Sequence, residues 1–307
     1  MRIGIPRALL YYNFYPALSR LLEATKAEIV ISSETNKQKL EQGLTLCEDE
    51  VCLPVKVLMG HVMTLAEQNV DGLFMPRMIS LERSRYICPK FLGLPDMVRS
   101  SLGKDIQVLS PTVNLSWGKL RMFREGLKSA GPWLRHPLAL WRSFRAAESE
   151  QLAHQQQLAA AFAQPQGTSK RVAVLGHAYN IFDGYINYDL LKNLQTMGVE
   201  TLTVENFSRA AIEEGARDLS KDLFWSYGRD IVGAAFYCLR RRAVDGVIIV
   251  ASFGCGPDSL ITEIIERRFS QAGIPLMSIV LDEHSSGTGL ITRLEAFTDM
   301  LHWRDAN

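Results

Sequence analysis

One stretch of the chain, 246–258, constrains the fold more than any other. It begins as the apolar run Gly-Val-Ile-Ile-Val-Ala-Ser, which is typical of a parallel strand buried on both faces. Two glycines and a proline at 253–257 then force a turn, and a helix follows whose first turn suits Pro257 or Asp258. Open α/β sheets place their chemistry at the carboxyl ends of strands. Cys255 is therefore predicted to lie at such an edge beside a helix N-terminus, either as a reactive thiolate or as a packed structural cysteine.

Strands and helices alternate in the same pattern twice along the chain, which predicts parallel doubly wound sheets. Corresponding strands are separated by roughly 170 residues, the size of a domain and not of a short repeat. The fold class is therefore α/β, with two flavodoxin- or Rossmann-like domains related by internal duplication, each with a parallel sheet of at least four strands. The strands are predicted at 2–6, 28–32, 70–76 and 104–110 in the first copy, and at 171–176, 200–204, 244–250 and 274–280 in the second.

The predicted domain organisation places a connecting segment between the two copies. The first α/β domain spans 1–130, the connecting helix and linker span 131–170, and the second α/β domain spans 171–307. Within the connecting segment, an Ala-, Gln- and Arg-rich stretch at 141–162 predicts a long amphipathic helix. The sequence Gln-Pro-Gln-Gly-Thr-Ser at 164–169 then predicts a short linker.

Composition and charge exclude several classes of protein. Hydrophobic residues make up 47% of the 307 residues, which excludes global disorder. The 34 Lys and Arg nearly balance the 33 Asp and Glu, so a net charge of +1 provides no global field for nucleic acid. The chain begins directly with a strand and not with a signal peptide, and no apolar stretch approaches the roughly 18 residues that span a membrane. We expect a cytoplasmic protein with neither nucleic acid nor membrane as a partner.

Three of the five cysteines occupy positions that the predicted topology brings together. Cys255 follows the third strand of the second copy, and Cys88 follows the third strand of the first. Cys52 opens the helix before that strand and is predicted at the same edge of the first sheet. If the two domains face each other across a cleft, three thiolates there suit an iron–sulfur cluster or another metal site. Zinc fits less well, because the sequence has no CxxC pair.

The other two cysteines differ from this trio. Cys47 lies five residues before Cys52, a spacing that occurs in ferredoxins, but its surroundings are plain and its role stays open. Cys238 lies within an apolar helical stretch and is predicted to pack in the core.

Six short motifs, taken together, resemble one family over nearly the whole chain. They are Ile-Gly-Ile-Pro-Arg at 3–7, Asp-Glu-Val-Cys-Leu-Pro-Val-Lys at 49–56 with Gly-His at 60–61, Tyr-Ile-Cys-Pro-Lys-Phe at 86–91, Gly-His-Ala-Tyr-Asn at 176–180, Phe-Gly-Cys-Gly-Pro-Asp at 253–258 and Asp-Glu-His at 282–284. The combination resembles the 2-hydroxyacyl-CoA-dehydratase-like group, which includes the acyl-CoA dehydratase activase-related or CoA-substrate-specific enzyme activase proteins, a domain of unknown function.

The resemblance implies a cofactor and partners. Members of the wider group resemble dehydratase subunits whose two flavodoxin-like domains hold a 4Fe-4S cluster by three cysteines with one iron open, and relatives hold a larger double-cubane cluster. Carried over by motif, the ligands are Cys52, Cys88 and Cys255. The implied partners are an ATP-dependent activase, a second copy or a related dehydratase-like subunit, and a small molecule such as an acyl-CoA.

The sequence departs from the family pattern in two places. The usual Thr-Gly-Glu-Ala-Gly after the Asp-Glu-His motif is Ser-Ser-Gly-Thr-Gly at 285–289, so its glutamate is missing. The usual proline after His177 is Ala178. The chain also has neither a P-loop nor a Gly-x-Gly-x-x-Gly loop, so it is not expected to bind a nucleotide itself.

Polar residues at the strand ends are candidates for roles around a cluster. His177 and His284 are candidate proton donors, or hydrogen-bond donors to cluster sulfur, or histidines that satisfy loop backbone. His61, on the helix after Cys52, has the same alternatives. Five further residues are candidates for contact with a cofactor. Gly254 and Gly256 would let backbone N–H groups approach the sulfides of a cluster, Lys90 supplies a cation, and Tyr179 and Asn180 supply polar side chains.

Three functional hypotheses follow from these residues. The first is an iron–sulfur redox protein that receives electrons from an ATP-dependent activase and acts on a small molecule as a dehydratase or reductase component. The second is a non-catalytic carrier of a cluster or of electrons. The third is a cluster-free, two-domain protein that binds a ligand. Whether the chain is an enzyme stays open at this point.

Overall fold

The computed structural model describes residues 1–82, 84–102, 106–130, 136–162 and 170–304. Its strands are β1 (Arg2–Ile5), β2 (Glu28–Ile31), β3 (Gly72–Phe74), β4 (Arg77–Ser80), β5 (Gln107–Leu109), β6 (Thr112–Asn114), β7 (Arg171–Gly176), β8 (Glu200–Leu202), β9 (Gly246–Ser252) and β10 (Leu276–Leu281). Its helices are α1 (Leu10–Leu22), α2 (Lys37–Leu46), α3 (Leu53–Glu67), α4 (Pro89–Leu102), α5 (Lys119–Ala130), α6 (Pro137–Phe162), α7 (Ala178–Ile181), α8 (Leu190–Thr196), α9 (Arg209–Ala216), α10 (Ser226–Arg241), α11 (Gly256–Ala272) and α12 (Gly287–Trp303).

The chain divides into two compact units. Unit 1 comprises Met1–His154 and Phe224–Ser226, and unit 2 comprises Gln155–Leu223 and Tyr227–Asn307. The long connecting helix predicted at 141–162 is present as α6. The predicted linker at 164–169 lies outside the described residues, and the domain boundaries 1–130, 131–170 and 171–307 stay a prediction.

Unit 1 contains a parallel four-stranded sheet in the order β2-β1-β3-β5. Pro76 and Pro111 follow β3 and β5 at matching positions, and both strands stop there because proline has no N–H to donate to a ladder. Pairing resumes beyond the prolines as the parallel pair β4–β6. The strand predicted at 70–76 is therefore shorter than expected, and so is the described part of the strand predicted at 104–110, whose residues 104 and 105 lie outside the described residues. The continuation of both strands beyond the prolines was not predicted.

Unit 2 contains a parallel four-stranded sheet in the order β10-β9-β7-β8. Every residue of β9 is buried, as its unbroken apolar run predicts. The α/β class with two parallel sheets of four strands is therefore confirmed. The spatial order of the strands is the same in both sheets. When the four strands of each sheet are counted along the chain, they lie side by side as second, first, third and fourth. Internal duplication stays a prediction.

Helices α2 and α3 of unit 1 cross at two glycines. A Cβ added to Gly60 would lie 1.8 Å from the carbonyl oxygen of Lys39, and one added to Gly43 would lie 1.8 Å from that of Lys56. Only glycine lets the two backbones approach this closely. The crossing holds α3 in place, and Cys52 is the residue that caps the N-terminus of α3.

We expect Gly60→Ala to lower the free energy of unfolding by about 3 kcal/mol, because one of the two helix backbones must move to admit the methyl group. Gly93→Ala in α4 is the matched control, since an added Cβ there has nothing within 4 Å. It is expected to leave stability unchanged or to raise it by up to about 1 kcal/mol. Urea denaturation followed by circular dichroism measures both changes. Equal stability of the two variants would contradict the close crossing.

No helix in the described ranges is both long enough and apolar enough to cross a membrane.

Candidate functional site

The turn after β9 places Cys255 at the start of a helix. Cys255 is the N-cap residue of α11 and is half-buried. Gly254 has a φ of +74°, which side-chain-bearing residues rarely adopt, so the turn depends on glycine at this position. The predicted strand, turn and helix around Cys255 are confirmed. Cys255 therefore lies where the partial positive charge of a helix N-terminus is concentrated.

A histidine and a carboxylate lie beside this cysteine. His177 caps α7 directly after β7, and its Nε2 lies 2.8 Å from Oδ1 of Asp258 in the first turn of α11. The other carboxylate oxygen of Asp258, Oδ2, accepts a hydrogen bond of 3.0 Å from the backbone N–H of Ser252. One ligand atom from each of His177, Cys255 and Asp258 lies within 4.8 Å of the other two. Unit 2 therefore gathers a thiol, an imidazole and a carboxylate at one edge of its sheet.

Aromatic rings fix the orientation of the His177 side chain. Tyr179 stacks on the imidazole at a centroid distance of 4.8 Å, and Tyr227 meets it edge-on at 5.4 Å. Asn180, fully buried, accepts a hydrogen bond of 2.8 Å from the Ser252 hydroxyl through its Oδ1. Two of the predicted contact residues, Tyr179 and Asn180, are thus next to His177. The ring is held between neighbours that leave it little freedom to rotate.

Several buried polar atoms of unit 2 have no hydrogen-bond partner among the described residues: Nδ1 of His177, Nδ2 of Asn180, Oε2 of Glu205 and the hydroxyl of Tyr227. Burial raises the pKa of Glu205, although a hydrogen bond with Thr203 and the nearby His177 act in the opposite direction. Burial also raises the pKa of Tyr227. Buried polar atoms are paired in most proteins, so this cluster has capacity to bind water or another polar group.

Cys52 and Cys88 belong to unit 1, and each directly precedes a helix. Cys52 is buried and caps α3, while Cys88 is half-buried and comes immediately before α4. Lys90 lies in the first turn of α4. All three cysteines of the predicted ligand set therefore lie at a helix N-terminus, where the helix carries a partial positive charge.

The two remaining cysteines have different surroundings. Burial raises the pKa of the Cys47 thiol, the cation of Lys56 lowers it, Cys52 raises it further and Lys90 lowers it. Cys47 is thus electrostatically coupled to Cys52 and two lysines within unit 1. Cys238 is 1% exposed and packs in the core of unit 2, and burial raises its pKa to about 12. The prediction that Cys238 serves packing is confirmed.

The other two candidate histidines each have surroundings of their own. His61 is fully buried in unit 1, with Nδ1 2.8 Å from the Ser32 hydroxyl and Nε2 2.9 Å from the Thr35 hydroxyl. Both ring nitrogens are occupied, so His61 has the contacts of a structural histidine. His284 is exposed on the loop after β10, where its backbone N–H donates a hydrogen bond of 2.7 Å to Asp282. His284 is not part of the group formed by His177, Cys255 and Asp258.

Three residues of this site were not among the predicted site residues. Asp258 was assigned only to the first turn of a helix, although its position three residues after Cys255 places both side chains at the same helix end. Glu205 and Tyr227 come from separate segments, and no local pattern marks them. Glu205 and Tyr227 are assigned to the site because they are buried and their side chains lie near His177.

Comparison with solved structures yields likenesses of low identity. The SBP FpvC of Pseudomonas aeruginosa in complex with Mn2+ has 14% identity over 99% of both chains, with a TM-score of 0.30. The laminin-binding protein Lmb of Streptococcus agalactiae has 11% identity over 98% of this chain and 99% of that chain, with a TM-score of 0.30. No curated protein matches the chain.

Two family profiles match the sequence. Residues 229–301 match the 2-hydroxyglutaryl-CoA dehydratase, D-component. Residues 2–207, which are 206 of the 307 residues, match the CoA enzyme activase uncharacterised domain (DUF2229). These matches confirm the resemblance carried by the six short motifs. The chain belongs to the family of CoA enzyme activase uncharacterised domains (DUF2229).

Proposed function

We propose that the chain is a dehydratase-like redox component that binds an iron–sulfur cluster through Cys52, Cys88 and Cys255. The observation that carries the proposal is the common setting of these three cysteines. Cys52 and Cys255 are N-cap residues, and Cys88 directly precedes a helix. Helix N-termini stabilise thiolates and the negative charge of a thiolate-bound cluster. The cluster is proposed to be of the 4Fe-4S type, with a larger cluster as the alternative.

The residues around Cys255 fit such a group. Gly254 carries the tight turn, and a Cβ added to Gly256, the residue after Cys255, has nothing within 4 Å, so there is open space beside this turn. The backbone N–H groups of such a turn can donate hydrogen bonds to cluster sulfur and thereby tune its reduction potential. In unit 1, Lys90 supplies a cation close to Cys88 in sequence, which offsets negative charge. When bound, a cluster with one open iron supplies one-electron transfer and a Lewis-acidic metal.

The chain's own residues are proposed to handle the substrate and its protons. His177 is proposed to exchange a proton with a small molecule bound near Cys255, because its ring is fixed by Tyr179 and Tyr227 and lies against Asp258. Asn180 positions the loop by accepting from the Ser252 hydroxyl. His284 is proposed as a second proton-handling group, on the exposed loop after β10.

The proposed partners follow from the family. An ATP-dependent activase is the proposed electron donor, and an acyl-CoA or similar small molecule is the proposed substrate. A second copy or a dehydratase-like subunit is the proposed assembly partner, and the cytoplasm is the proposed compartment. We also propose that the two units arose by internal duplication into flavodoxin-like domains, which is supported by the shared strand order of their sheets.

The proposal is tested by determining iron and acid-labile sulfide in the full chain purified without oxygen. We expect about four of each per chain for a 4Fe-4S cluster, with a brown colour from thiolate-to-iron charge transfer. About eight irons would indicate the larger cluster. A colourless protein that binds no iron even after reconstitution with ferrous iron and sulfide would contradict the proposal and favour a cluster-free binding protein.

A second measurement separates an enzyme component from a carrier. The cluster-loaded chain is mixed with an activase, ATP and a 2-hydroxyacyl-CoA, and dehydration of the thioester is followed. Turnover that requires all three supports a dehydratase component. Reduction of the cluster by the activase without turnover, in the presence or absence of a dehydratase-like subunit, supports an electron carrier.

A further inference from the structure

We propose that His177, Cys255 and Asp258 bind one divalent transition-metal ion whenever Cys255 is not engaged by a cluster. This site lies entirely within unit 2 and needs neither Cys52 nor Cys88. It goes beyond the proposed function, because it would exist even if the chain never holds an iron–sulfur cluster.

The spacing of the three ligand atoms fits a shared ion. Metal–nitrogen and metal–oxygen bonds are about 2.0–2.2 Å long and a zinc–sulfur bond about 2.3 Å, so ligand atoms around one ion lie roughly 3–4 Å apart. Nε2 of His177 and Oδ1 of Asp258 are 2.8 Å apart, and the three ligand atoms all lie within 4.8 Å of one another. Small side-chain adjustments would bring all three to bonding distance.

The Asp258 carboxylate has one oxygen held and one available. Oδ2 accepts from the Ser252 N–H, whereas Oδ1 has no hydrogen-bond donor among the described residues. The 2.8 Å approach of His177 to Oδ1 lacks the alignment of a hydrogen bond. Asp258 is 3% exposed, and a buried carboxylate oxygen without a donor is costly. An ion bound to Oδ1 would give this oxygen a partner, and Nε2 of His177 lies close enough to bind the same ion.

The surroundings resemble the support that metal ligands receive in known sites. The backbone of Ser252 fixes the carboxylate, and Tyr179 and Tyr227 fix the plane of the imidazole. Such outer contacts hold ligands in position before the metal arrives. Cys255 is half-buried, which leaves a route for an ion from solvent. A thiolate, an imidazole and a carboxylate together favour zinc, cobalt or ferrous ion, and three protein ligands leave a coordination position for water.

The experiment uses Co2+ alone as the probe on the full, cluster-free chain with its thiols reduced. We expect one equivalent to bind, with a thiolate-to-cobalt charge-transfer band in the near ultraviolet and visible ligand-field bands. Asp258→Asn and His177→Gln are each expected to weaken binding at least about tenfold. Cys255→Ser should remove the charge-transfer band. Circular dichroism establishes that each variant is folded.

The matched control is the double variant Cys52→Ser/Cys88→Ser, which should bind Co2+ as the wild type does. Loss of Co2+ binding in this double variant would overturn the unit 2 site. Equally, undiminished Co2+ affinity in both Asp258→Asn and His177→Gln, or no charge-transfer band in the wild type, would overturn it.

X-ray absorption at the cobalt edge is a second measurement that does not depend on variants. It should show one sulfur ligand with nitrogen or oxygen ligands, and a shell with several sulfurs would contradict the site. These results are distinguishable from a failure of the cluster proposal, which depends on iron and sulfide and on Cys52 and Cys88.

Discussion

Each of the variants Cys255→Ser, Cys52→Ser and Cys88→Ser is expected to lose most of its iron when the protein is purified without oxygen. A serine hydroxyl is a harder ligand than a thiolate and stays protonated at neutral pH, so it replaces a soft, charged cluster ligand poorly. Substitution of a residue that only contacts a metal ligand already lowers metal affinity about 10–100-fold. Substitution of a ligand itself should lower the affinity at least as much. We therefore expect iron per chain to fall at least about tenfold, measured by a colorimetric iron assay on matched amounts of folded protein.

Cys238→Ser is the matched control for these three variants. Cys238 is 1% exposed in an apolar core, and burial raises its pKa to about 12, so it is expected to stay a thiol and to hold no iron. The variant should lose some stability because a hydroxyl is buried, yet keep wild-type iron. Wild-type iron content in Cys52→Ser, Cys88→Ser or Cys255→Ser would contradict the ligand assignment. Cys47→Ser tests the remaining cysteine, whose thiol is electrostatically coupled to Cys52.

The strands and helices were predictable where a single physical signal dominates. The run at 246–252 is apolar at nearly every position, and only a strand buried on both faces accounts for that, so β9 was correctly placed. The helix that Cys52 was predicted to open is present as α3, with Cys52 as its N-cap residue. Strand length was predicted less well around Pro76 and Pro111. Whether a strand ends at a proline or resumes beyond it depends on the neighbouring strand, and the partner of β4 lies more than thirty residues away at β6.

The residues of the site were predictable only where a reactive residue type stands in a turn at the end of a strand. His177 follows a buried strand directly and Cys255 follows one after two turn residues, and the carboxyl ends of parallel strands meet at one edge. Asp258 was in the same motif, but its approach to His177 depends on how α11 leaves the sheet. Glu205 and Tyr227 were missed because burial far from any motif leaves no mark in the sequence. His61 is part of one of the six motifs that carry the family resemblance, yet its contacts are those of a structural residue.

Acid is expected to destabilise unit 1 through His61. Burial is the main reason that the pKa of His61 falls from 6.5 to about 3, and the cations of Lys39 and Arg7 lower it further. The folded ring is therefore neutral at a pH where the unfolded ring takes up a proton. Since the unfolded state binds more protons between pH 6.5 and about 3, the stability that His61 contributes is complete above pH 6.5 and decreases as the pH falls through this window.

The expected loss is about 3 kcal/mol between pH 7 and pH 4, because each pKa unit corresponds to about 1.4 kcal/mol and the ring has no solvent to screen it. Hydrogen exchange of the α3 amides at both pH values, corrected for intrinsic rates, measures the opening free energy of this part of unit 1. His61→Gln should be less stable at pH 7, because the hydroxyls of Ser32 and Thr35 lose an ideally placed partner.

The same variant should also lose much less stability on acidification, since glutamine does not titrate. His302→Gln is the matched control, because His302 is exposed in the last turn of α12 and should leave the acid dependence of α3 unchanged. An acid dependence that is identical in wild type and His61→Gln would mean that other groups determine it. It would also mean that the buried ring, with both nitrogens bound to hydroxyls, is not held neutral by the fold.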